Sequence, residues 1–450
     1  MGGNYILKDL EKYNNQIEAL AGELGLNCYP QEFEICSYED MLGYEAYLGM
    51  PSRYPHWSFG KAYERKKTFY RYNLTGLPYE MVINSNPCLA YLMKDNTLLL
   101  QILTIAHVYG HNDFFKNNRL FAEGTKAEYT LEMFKTHAKR IREYITDPSI
   151  GYAKVERILD AAHSIRLQTY RIIGEKHLSS QEVKAKLAEK LQKPLTSHPL
   201  LESSNVSPPP DINRFPLQPE EDLLLFLSKY APIAEWEKDI LFMVREESLY
   251  FLPQIETKIM NEGWASYWHY TILNKLGLSA DLHLEFLKRH NQVVSAHEGS
   301  LNPYHLGFKI FSSLADTKGR DFIFQIRQQE RDVSFIQKYL SEELCNELNL
   351  FEYRKSGKDY IITEITDEEG WKAIRQSLVK NCGINMVPVI KIVEVEEKNG
   401  VLMLEHEWDG RDLQSEYAQQ TLKQVANIWG RKIRMRTRVK NSYQIIEVIP

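Results

Sequence analysis

The hydrophobic pattern of the first two thirds of the chain is mainly helical. Apolar positions recur every three or four residues from about residue 5 to 27, and "YEMVINSNPCLAYLM" then alternates around a turn signal. The first pattern predicts a helix and the second predicts strand, turn, strand. A long helix that begins near Asp95 or Thr97 and carries "LLLQILTIAHVYGHNDFF" is predicted next. Helical periodicity continues to about residue 192 and again, after an interruption, to roughly residue 310.

The interruption is rich in proline and serine. It reads "TSHPLLESSNVSPPPDINRFPLQPEED" and predicts a loop over residues 196–219. Helices resume directly at "DLLLFLSKYAP". We expect the loop to be an excursion within one domain that comprises residues 1–315, because the resemblance to a known family that is described below extends across the break.

The pattern changes after Asp321 to short alternating stretches. Pairs of predicted strands are each followed by a predicted helix, in the order ββα, ββα, ββ, with one hairpin centred on Asn399-Gly400. This loose internal repeat predicts a separate C-terminal domain over residues 321–450. The fold class we expect is α+β: a large, mostly helical N-terminal domain with a zincin-like strand-helix core, and a smaller domain of ββα repeats.

Composition narrows the class of function. The chain has 450 residues, 43% of them hydrophobic, and a net charge of −5, which gives no electrostatic argument for nucleic acid or an anionic membrane as the main partner. Its five cysteines are scattered and form no CxxC pair, so neither a disulfide framework nor a thiolate zinc site is predicted. The N-terminus lacks a signal-peptide pattern, and no apolar run is long enough to span a bilayer. We therefore expect a cytoplasmic protein.

Two histidines on the long predicted helix are the first candidate for chemistry. His107 and His111 are four positions apart, so they share one helix face and can bind one divalent ion through convergent imidazoles. This spacing alone also arises in ordinary buried helices. A second segment, "TKIMNEGWASYWHYTIL", places Glu262 in an apolar and aromatic helix, where a carboxylate needs a cation or strong donors. The alternative is that Glu262 caps a helix that begins near Asn261.

The three residues together form the ligand set of a gluzincin, with the fourth zinc position open to water or substrate. "NEGWASY" resembles the "NEGFA" helix that supplies the third ligand in the large zinc aminopeptidase family. The chain departs from that family because the two segments lie much farther apart and because Val108 occupies the position of the general base. Zinc is the divalent metal that this donor set predicts.

Without the usual base, another group must carry the proton, and three residues are the nearest candidates in sequence: Glu246, Glu247 and His269. His269 lies on the same helix face as Glu262. In the alternative interpretation it is a hydrogen-bonded core histidine. Asp113 is rotated about 200° from His111 on a helix. We interpret it as a group that supports the ligands or as a partner for Lys116 or Arg119.

Two further sets of residues have two interpretations each. His137, Glu156, Asp160 and His163 could extend the site to two metal ions, or the two acids could pair with Arg157 or Arg166 on a solvated face. "RKIRMRTRVK" places five basic residues on one face of a strand over residues 432–440, which predicts either a dock for phosphate or an acidic partner, or a charged edge strand. Of these two, the edge strand is the interpretation we favour.

The chain resembles the stage V sporulation protein R family. The resemblance rests on "INSNP", "HVYGHNDFFKNN", "HAKRIREY", "REESLYFLPQIETKIMNEGWASYWHYTIL" and "LNPYHLGFKI", and it extends over essentially the whole chain. It implies a cytoplasmic protein of the mother cell in a spore-forming bacterium, required for formation of the peptidoglycan cortex. It also implies partners in cortex or precursor assembly, or a serine protein kinase system that accompanies family members in other bacteria.

Two functions from different classes follow. One is a metal-dependent hydrolase acting on an amide-containing substrate. The other is a non-catalytic cytoplasmic factor of cortex assembly, with a structural metal or none, whose C-terminal domain recruits partners. Val108 favours the second function, and the polar groups on apolar helices favour the first.

Overall fold

The structure, a computed structural model, describes residues 5–71, 80–192, 214–295, 301–356, 359–365, 367, 369–440 and 442–450. Most of the predicted loop over residues 196–219 lies outside these ranges. The helices are α1 (Leu7–Glu23), α2 (Tyr38–Ala46), α3 (Trp57–Arg71), α4 (Leu98–Asn117), α5 (Arg119–Gly124), α6 (Thr130–Thr146), α7 (Tyr152–Ile165), α8 (Ser180–Gln192), α9 (Leu223–Tyr230), α10 (Glu235–Glu256), α11 (Lys258–Lys275), α12 (Ala280–Val293), α13 (Pro303–Lys318), α14 (Arg320–Gln329), α15 (Asp332–Tyr339), α16 (Glu342–Glu347), α17 (Gly370–Lys380) and α18 (Ser415–Trp429).

The strands form three small sheets. They are β1 (Gln31–Cys36), β2 (Glu80–Ile83), β3 (Cys88–Met93), β4 (Glu352–Ser356), β5 (Asp359–Glu364), β6 (Val389–Val395), β7 (Leu402–Glu407), β8 (Ile433–Val439) and β9 (Ser442–Val448). The sheet orders are β1-β3-β2, β4-β5 and β6-β7-β8-β9. The predicted α+β class is therefore confirmed at this level.

The chain divides into two compact units, each built from two stretches of sequence. The first unit comprises Met1–Asp147 and Leu249–Met386, and the second comprises Pro148–Ser248 and Val387–Pro450. The predicted boundary between a domain of residues 1–315 and a domain of residues 321–450 divides the chain at one place, whereas each of these units combines two separate stretches. That boundary stays a prediction. No helix among the described residues has the length and apolar character needed to cross a membrane.

The first unit has a small sheet that leads into its central helix. β2 and β3 are antiparallel and β1 pairs with β3 in parallel, so the predicted strand-turn-strand pattern is confirmed. After β3 the chain turns into α4, where the side chain of Thr97 accepts a hydrogen bond from the backbone N–H of Leu100. The predicted helix start is thus confirmed at Thr97, whose hydroxyl satisfies one of the N–H groups that the first helical turn leaves open.

Helix α4 lies in the middle of the first unit. All but a few of its residues are buried, which is expected of a helix that is apolar on every side. It packs against α11, and α11 in turn packs against α13. Both crossings depend on glycine, because a Cβ built on Gly110 would lie 2.6 Å from the Cα of Ala265, and one on Gly263 would lie 2.3 Å from the carbonyl carbon of Gly307. These close approaches bring side chains of α4, α11 and α13 into one small volume.

The second unit contains the four-stranded sheet. The β6-β7 hairpin turns at Gly400, whose φ of +65° is the left-handed conformation that an Asn-Gly turn requires. Inward-facing Leu404 and Met435 are buried on the face of the sheet opposite its charged side chains, and α18 packs against β9 and α7.

The predicted succession ββα, ββα, ββ is confirmed along the chain, from β4 and β5 through α17 to β9. β4 and β5 nevertheless form a sheet of their own, and by compactness they belong to the first unit, not to the unit of β6 to β9.

The prediction that residues 432–440 form an edge strand is wrong. β8 lies inside the sheet, parallel to β7 and antiparallel to β9. Its basic side chains form ion pairs with acids on neighbouring strands: Arg434 lies 2.7 Å from Glu447, and Arg436 lies 2.7 Å from Glu405. The stripe is therefore largely neutralised within its own sheet, which weakens the alternative of a phosphate dock.

Candidate metal centre

The two predicted histidines face a carboxylate on α11. His107 and His111 are 0% and 5% exposed, and their rings lie 4.6 Å apart on one face of α4. From α11, Glu262 places its Oε2 atom 3.5 Å from His111 Nε2 and 3.7 Å from His107 Nε2. The structure therefore brings together all three residues that the sequence proposed as ligands.

A second carboxylate, which the sequence interpretation missed, lies at the same site. Glu80 opens β2, and its Oε1 atom is 3.8 Å from His107 Nε2. The donor atoms of Glu80, His107 and His111 all lie within 4.8 Å of one another. The available signal was an acidic residue in an otherwise apolar strand directly before the histidine helix.

The donor spacing suits a bound cation better than direct hydrogen bonds. N–H···O hydrogen bonds measure about 2.7 to 3.2 Å, whereas the imidazole-carboxylate distances here are 3.5 to 3.8 Å. Two ligands bound tetrahedrally to zinc at about 2.0 to 2.1 Å lie about 3.3 Å apart. In addition, Oε2 of Glu262 and Oε2 of Glu80 are buried without a hydrogen-bond partner among the described residues. The residues present therefore fit a divalent ion.

Hydrogen bonds orient both imidazoles toward the common point. His111 Nδ1 lies 2.9 Å from the side-chain oxygen of Asn261, so it donates there and leaves Nε2 available as a ligand atom. His107 Nδ1 lies 2.8 Å from Nδ1 of His269. The alternative in which Glu262 caps a helix that begins near Asn261 is wrong, because α11 already begins at Lys258 and Glu262 lies within it.

The pKa values of the two carboxyl groups are shifted in opposite directions. Burial raises the pKa of Glu80 well above its ordinary value, and the negative charge of Glu262 raises it further. Burial also acts to raise the pKa of Glu262, but the imidazoles of His107 and His111 together with a hydrogen bond from Tyr304 outweigh it and lower that pKa. The pKa values of the two carboxyl groups are thus shifted in opposite directions, which is a feature of acid/base pairs.

The histidines are neutral for the same physical reason. Burial lowers the pKa of His107 to about 4, against the opposing effect of Glu262. Burial lowers the pKa of His269 well below its usual value, and the pKa of His290 falls to about 4. Neutral imidazole is the form that binds a metal ion, so burial keeps His107 in the form that a ligand requires.

The three predicted proton carriers are placed in two different environments. His269 is fully buried and hydrogen-bonded through both ring nitrogens. Glu246 and Glu247 lie on α10 within the second unit, where Glu246 is 3.4 Å from Arg245 and Glu247 is 2% exposed. Among the described residues the metal-capable group contains Glu80 and neither of these glutamates. The catalytic role of Glu246, Glu247 and His269 stays a prediction.

The second predicted set is divided between the units. His137 is buried on α6 in the first unit, whereas Glu156, Asp160 and His163 lie on α7 in the second. Glu156 accepts a hydrogen bond of 2.6 Å from Tyr152, and its predicted partner Arg157 lies 3.9 Å from a different acid, Glu237. A site for two metal ions stays a prediction.

Asp113 has a different partner from those expected. Its carboxylate lies 3.4 Å from Nε of Arg327, and it accepts hydrogen bonds from the indole N–H of Trp264 at 2.9 Å and the backbone N–H of Asn27 at 2.8 Å. The expected partner Lys116 donates instead to the side chain of Asn27 and to a backbone carbonyl. Asp113 therefore supports α4 and α11 from the side of α4 that faces away from the histidine pair.

Comparisons with known proteins cover nearly the whole chain. A family model described as "SpoVR like protein" matches residues 4–387, and one described as "SpoVR-like C-terminal domain" matches residues 388–440. The "Uncharacterized protein YcgB" of Escherichia coli (strain K12) is 35% identical over 473 aligned positions, which cover 95% of this chain and 92% of that protein. No solved structure matches.

Proposed function

Since the chain belongs to the SpoVR family, whose two models together match residues 4–440, we propose that it is a divalent-metal-dependent hydrolase of an amide-containing substrate. His107, His111 and Glu262 are the proposed ligands, and zinc is the proposed metal. Glu80 is the proposed carrier of the proton. The relative from Escherichia coli bears a name that assigns no activity, so the proposal rests on the site itself.

The observation that carries the proposal is the spacing of buried donors. Two imidazole nitrogens approach Oε2 of Glu262 at 3.5 and 3.7 Å, and that oxygen has no hydrogen-bond partner among the described residues. An isolated buried carboxylate is costly, whereas one that coordinates a cation is stabilised. The carboxyl groups of Glu262 and Glu80 beside the two imidazoles provide negative charge that offsets the charge of a divalent ion. The donor set contains no thiolate, which suits a borderline ion bound by nitrogen and oxygen.

The chain's own residues supply the rest of the chemistry. A bound divalent ion would polarise an amide carbonyl and lower the pKa of water at the site. Glu80 takes the place of the base that Val108 cannot provide: its carboxyl group exchanges a proton in the volume that the ligands face. Tyr304 donates a hydrogen bond to Glu262 and its ring stacks at 6.1 Å on His107, so it holds both ligands in place. The Glu262 side chain is 19% exposed, which supports access for a substrate from that side.

The cellular part of the proposal follows from the family. We propose a cytoplasmic protein that acts in formation of the spore cortex, together with proteins of peptidoglycan-precursor assembly or a serine protein kinase system. A cytoplasmic hydrolase would act on precursors, because assembled cortex lies outside its compartment.

A second candidate function is favoured by Glu80 itself. If Glu80 binds the ion as a fourth ligand, the coordination sphere is closed, as in structural sites. The protein would then be a non-catalytic factor of cortex assembly whose metal stabilises the first unit. The distance of 3.8 Å between Glu80 Oε1 and His107 Nε2 is compatible with a fourth ligand as well as with a base beside bound water.

We expect metal to be lost when both histidines are replaced. Purified wild-type protein should contain about one equivalent of zinc or a similar ion, and the His107→Ala, His111→Ala double variant less than about a tenth of that, because two of the donors are removed. Elemental analysis of both proteins measures this. The matched control is His283→Ala on α12, which should retain the metal. Metal-free wild-type protein that also fails to bind added zinc would refute the site.

Substitution of Glu80 separates the two candidate functions. If Glu80 carries a proton, Glu80→Gln should bind zinc with nearly wild-type affinity but hydrolyse substrate about 100 to 10,000 times more slowly. If Glu80 is a ligand, the same variant should lose affinity for zinc by tenfold or more, because an amide is a much weaker ligand. Zinc affinity from chelator competition and a screen of amide substrates provide the two measurements. Glu32→Gln on β1 is the exposed control.

A further inference from the structure

Three buried histidines form a continuous hydrogen-bonded chain that starts at the candidate metal centre. Nδ1 of His107 lies 2.8 Å from Nδ1 of His269, and Nε2 of His269 lies 2.8 Å from Nδ1 of His290. The rings are 0%, 0% and 3% exposed. This histidine chain therefore runs from α4 through α11 to α12, and only its first ring, that of His107, faces the carboxyl groups of Glu80 and Glu262.

Each link of this chain constrains the next. A neutral imidazole has one N–H donor and one acceptor nitrogen, and two nitrogens that share a hydrogen bond cannot both be donors or both be acceptors. If Nε2 of His107 is to bind an ion, its Nδ1 must carry the hydrogen and donate it. Nδ1 of His269 must then accept, so Nε2 of His269 carries a hydrogen and donates to Nδ1 of His290. One tautomer at the ligand thus fixes the tautomers of all three rings.

The opposite arrangement is equally self-consistent. If Nδ1 of His290 carries the hydrogen, it donates to His269, and His269 donates to Nδ1 of His107. His107 then carries its hydrogen on Nε2, where it faces Glu80 and Glu262 and cannot bind a cation. The series of three histidines therefore has two states. In one of them Nε2 of His107 can bind a metal ion, and in the other it cannot.

We propose that His269 and His290 are positioning residues that hold His107 in its metal-binding tautomer, and that the ion and the far ring of the chain control each other through this hydrogen-bond sequence. This inference rests on the proposed metal site. The acceptors for both ligand histidines are neutral: His269 and the backbone of Ala265 for His107, and Asn261 for His111. Because no carboxylate accepts from them, only the two glutamates offset the charge of the ion.

The geometry favours this role over ordinary core packing. Each of the two links is 2.8 Å long, a good hydrogen-bond distance, and the first joins α4 to α11, which are far apart in sequence. A buried histidine needs one or two partners of any kind. Here the partners are other histidines in an unbroken series, and the series ends on a ligand. Groups that orient ligands in this way typically contribute 10- to 100-fold to metal affinity.

The test compares two substitutions of the middle ring. His269→Leu removes both hydrogen bonds and should weaken zinc binding about 10- to 100-fold in a chelator competition. His269→Gln can accept from His107 and donate to His290, so we expect it to restore affinity to within about threefold of wild type. The control is His406→Leu, a buried histidine in the second unit that is hydrogen-bonded to Thr437 at 2.8 Å, which should not change zinc affinity.

A spectroscopic measurement reads the chain directly. In protein labelled with ¹⁵N-histidine, addition of zinc should fix His290 as the tautomer with hydrogen on Nε2, although its ring is two hydrogen bonds from the proposed ion. In His269→Gln this response should persist, and in His269→Leu it should disappear. The wild-type response needs no variant, so it tests the inference even if His269→Leu does not fold.

The outcomes separate this inference from the proposed function. Wild-type protein that binds no zinc refutes the metal site. Wild-type protein that binds zinc, with His269→Leu of equal affinity or with a His290 signal that zinc leaves unchanged, refutes the histidine chain and leaves the metal site standing.

Discussion

Replacement of Asp113 by alanine is expected to lower the free energy of unfolding by about 3 to 5 kcal/mol, because removal of one partner of a buried ion pair leaves the other charge uncompensated. Asp113 is 0% exposed and Arg327 is 7% exposed. The substitution would also leave the indole N–H of Trp264 and the backbone N–H of Asn27 without their acceptor. Urea unfolding of the two proteins at pH 7.5 measures the difference.

A second substitution, Asp113→Asn, checks how much of the expected loss of stability is due to the lost charge. Burial raises the pKa of Asp113 to about 6 although Arg327 and the hydrogen bonds act against that rise, so the carboxylate is ionised at the pH of the measurement. Asp113→Asn keeps an acceptor but loses the charge, and we expect a smaller loss of stability than for alanine. Glu123→Ala, an exposed acid on α5, is the control and should change stability by less than about 0.5 kcal/mol. A loss below about 1 kcal/mol for Asp113→Ala would contradict the ion pair as the reason for burial.

Substitution of Asp113 also tests whether the proposed metal site depends on the packing behind α4. Since Asp113 faces away from the histidine pair, its substitution should destabilise the protein without removing a ligand. Folded Asp113→Asn should therefore contain as much metal as wild type. Loss of metal from a well-folded variant would show that Asp113 holds α4 in the position that the ligands require.

Much of the site was predictable because local spacing determines it. His107 and His111 share a helix face by the geometry of the α-helix alone, and the cost of burying Glu262 predicts that it meets polar partners. The start of α4 was predictable from the capping residue Thr97, and the β6-β7 turn from Asn-Gly. In each case the signal lies within a few residues of the feature.

The features that could not be predicted depend on contacts between distant parts of the chain. Arg327 as the partner of Asp113, and His290 as the end of the histidine chain, are set by helix packing, which the close approach of Gly110 to Ala265 permits. The position of β8 inside its sheet is likewise a matter of topology: the alternation of basic residues is the same for an edge strand and for an inner strand that pairs with acidic neighbours. Sequence periodicity carries information about faces, but not about which strand or helix lies opposite.

Glu80 lies between these two cases, because its signal in the sequence is local whereas its contact with the histidines is not. It also changes the interpretation of Val108. On sequence alone, valine at the base position argued against catalysis. In the structure a carboxyl group from β2 lies beside the same donors, and this is the group that we propose as the carrier of the proton. The presence or absence of a motif residue is thus a weaker criterion than whether the required chemical group reaches the site from any element.

The buried histidines are expected to make stability fall as the solution becomes acidic. The folded-state pKa of His290 is about 4, because burial and the neighbouring His107 disfavour its charged form, while the unfolded value is about 6.5. The unfolded chain therefore binds more protons in this window. The stability that neutral His290 contributes is present above about pH 6.5 and is lost as the pH falls toward 4, by at most about 1.4 kcal/mol per pH unit.

Acids in the same unit act in the opposite direction over nearly the same window. Burial raises the pKa of Glu80 well above its usual value, that of Asp113 to about 6 and that of Asp332 to about 7. Each of these groups makes the protein less stable as the pH rises through its window. The pH dependence of the wild-type protein is therefore a sum of opposing contributions, and the difference between wild type and a single variant is the informative quantity.

His290→Gln isolates one histidine, because glutamine can accept the hydrogen bond from His269 but does not titrate. With metal removed by a chelator, the stability of wild type relative to this variant should decline by about 2 kcal/mol between pH 7 and pH 5, as measured by urea unfolding at half-unit steps. The acids are common to both proteins and their contributions cancel in the difference. A difference that stays constant across this range would mean that His290 is charged as readily in the folded protein as in the unfolded chain. Its burial would then not keep the end of the histidine chain neutral.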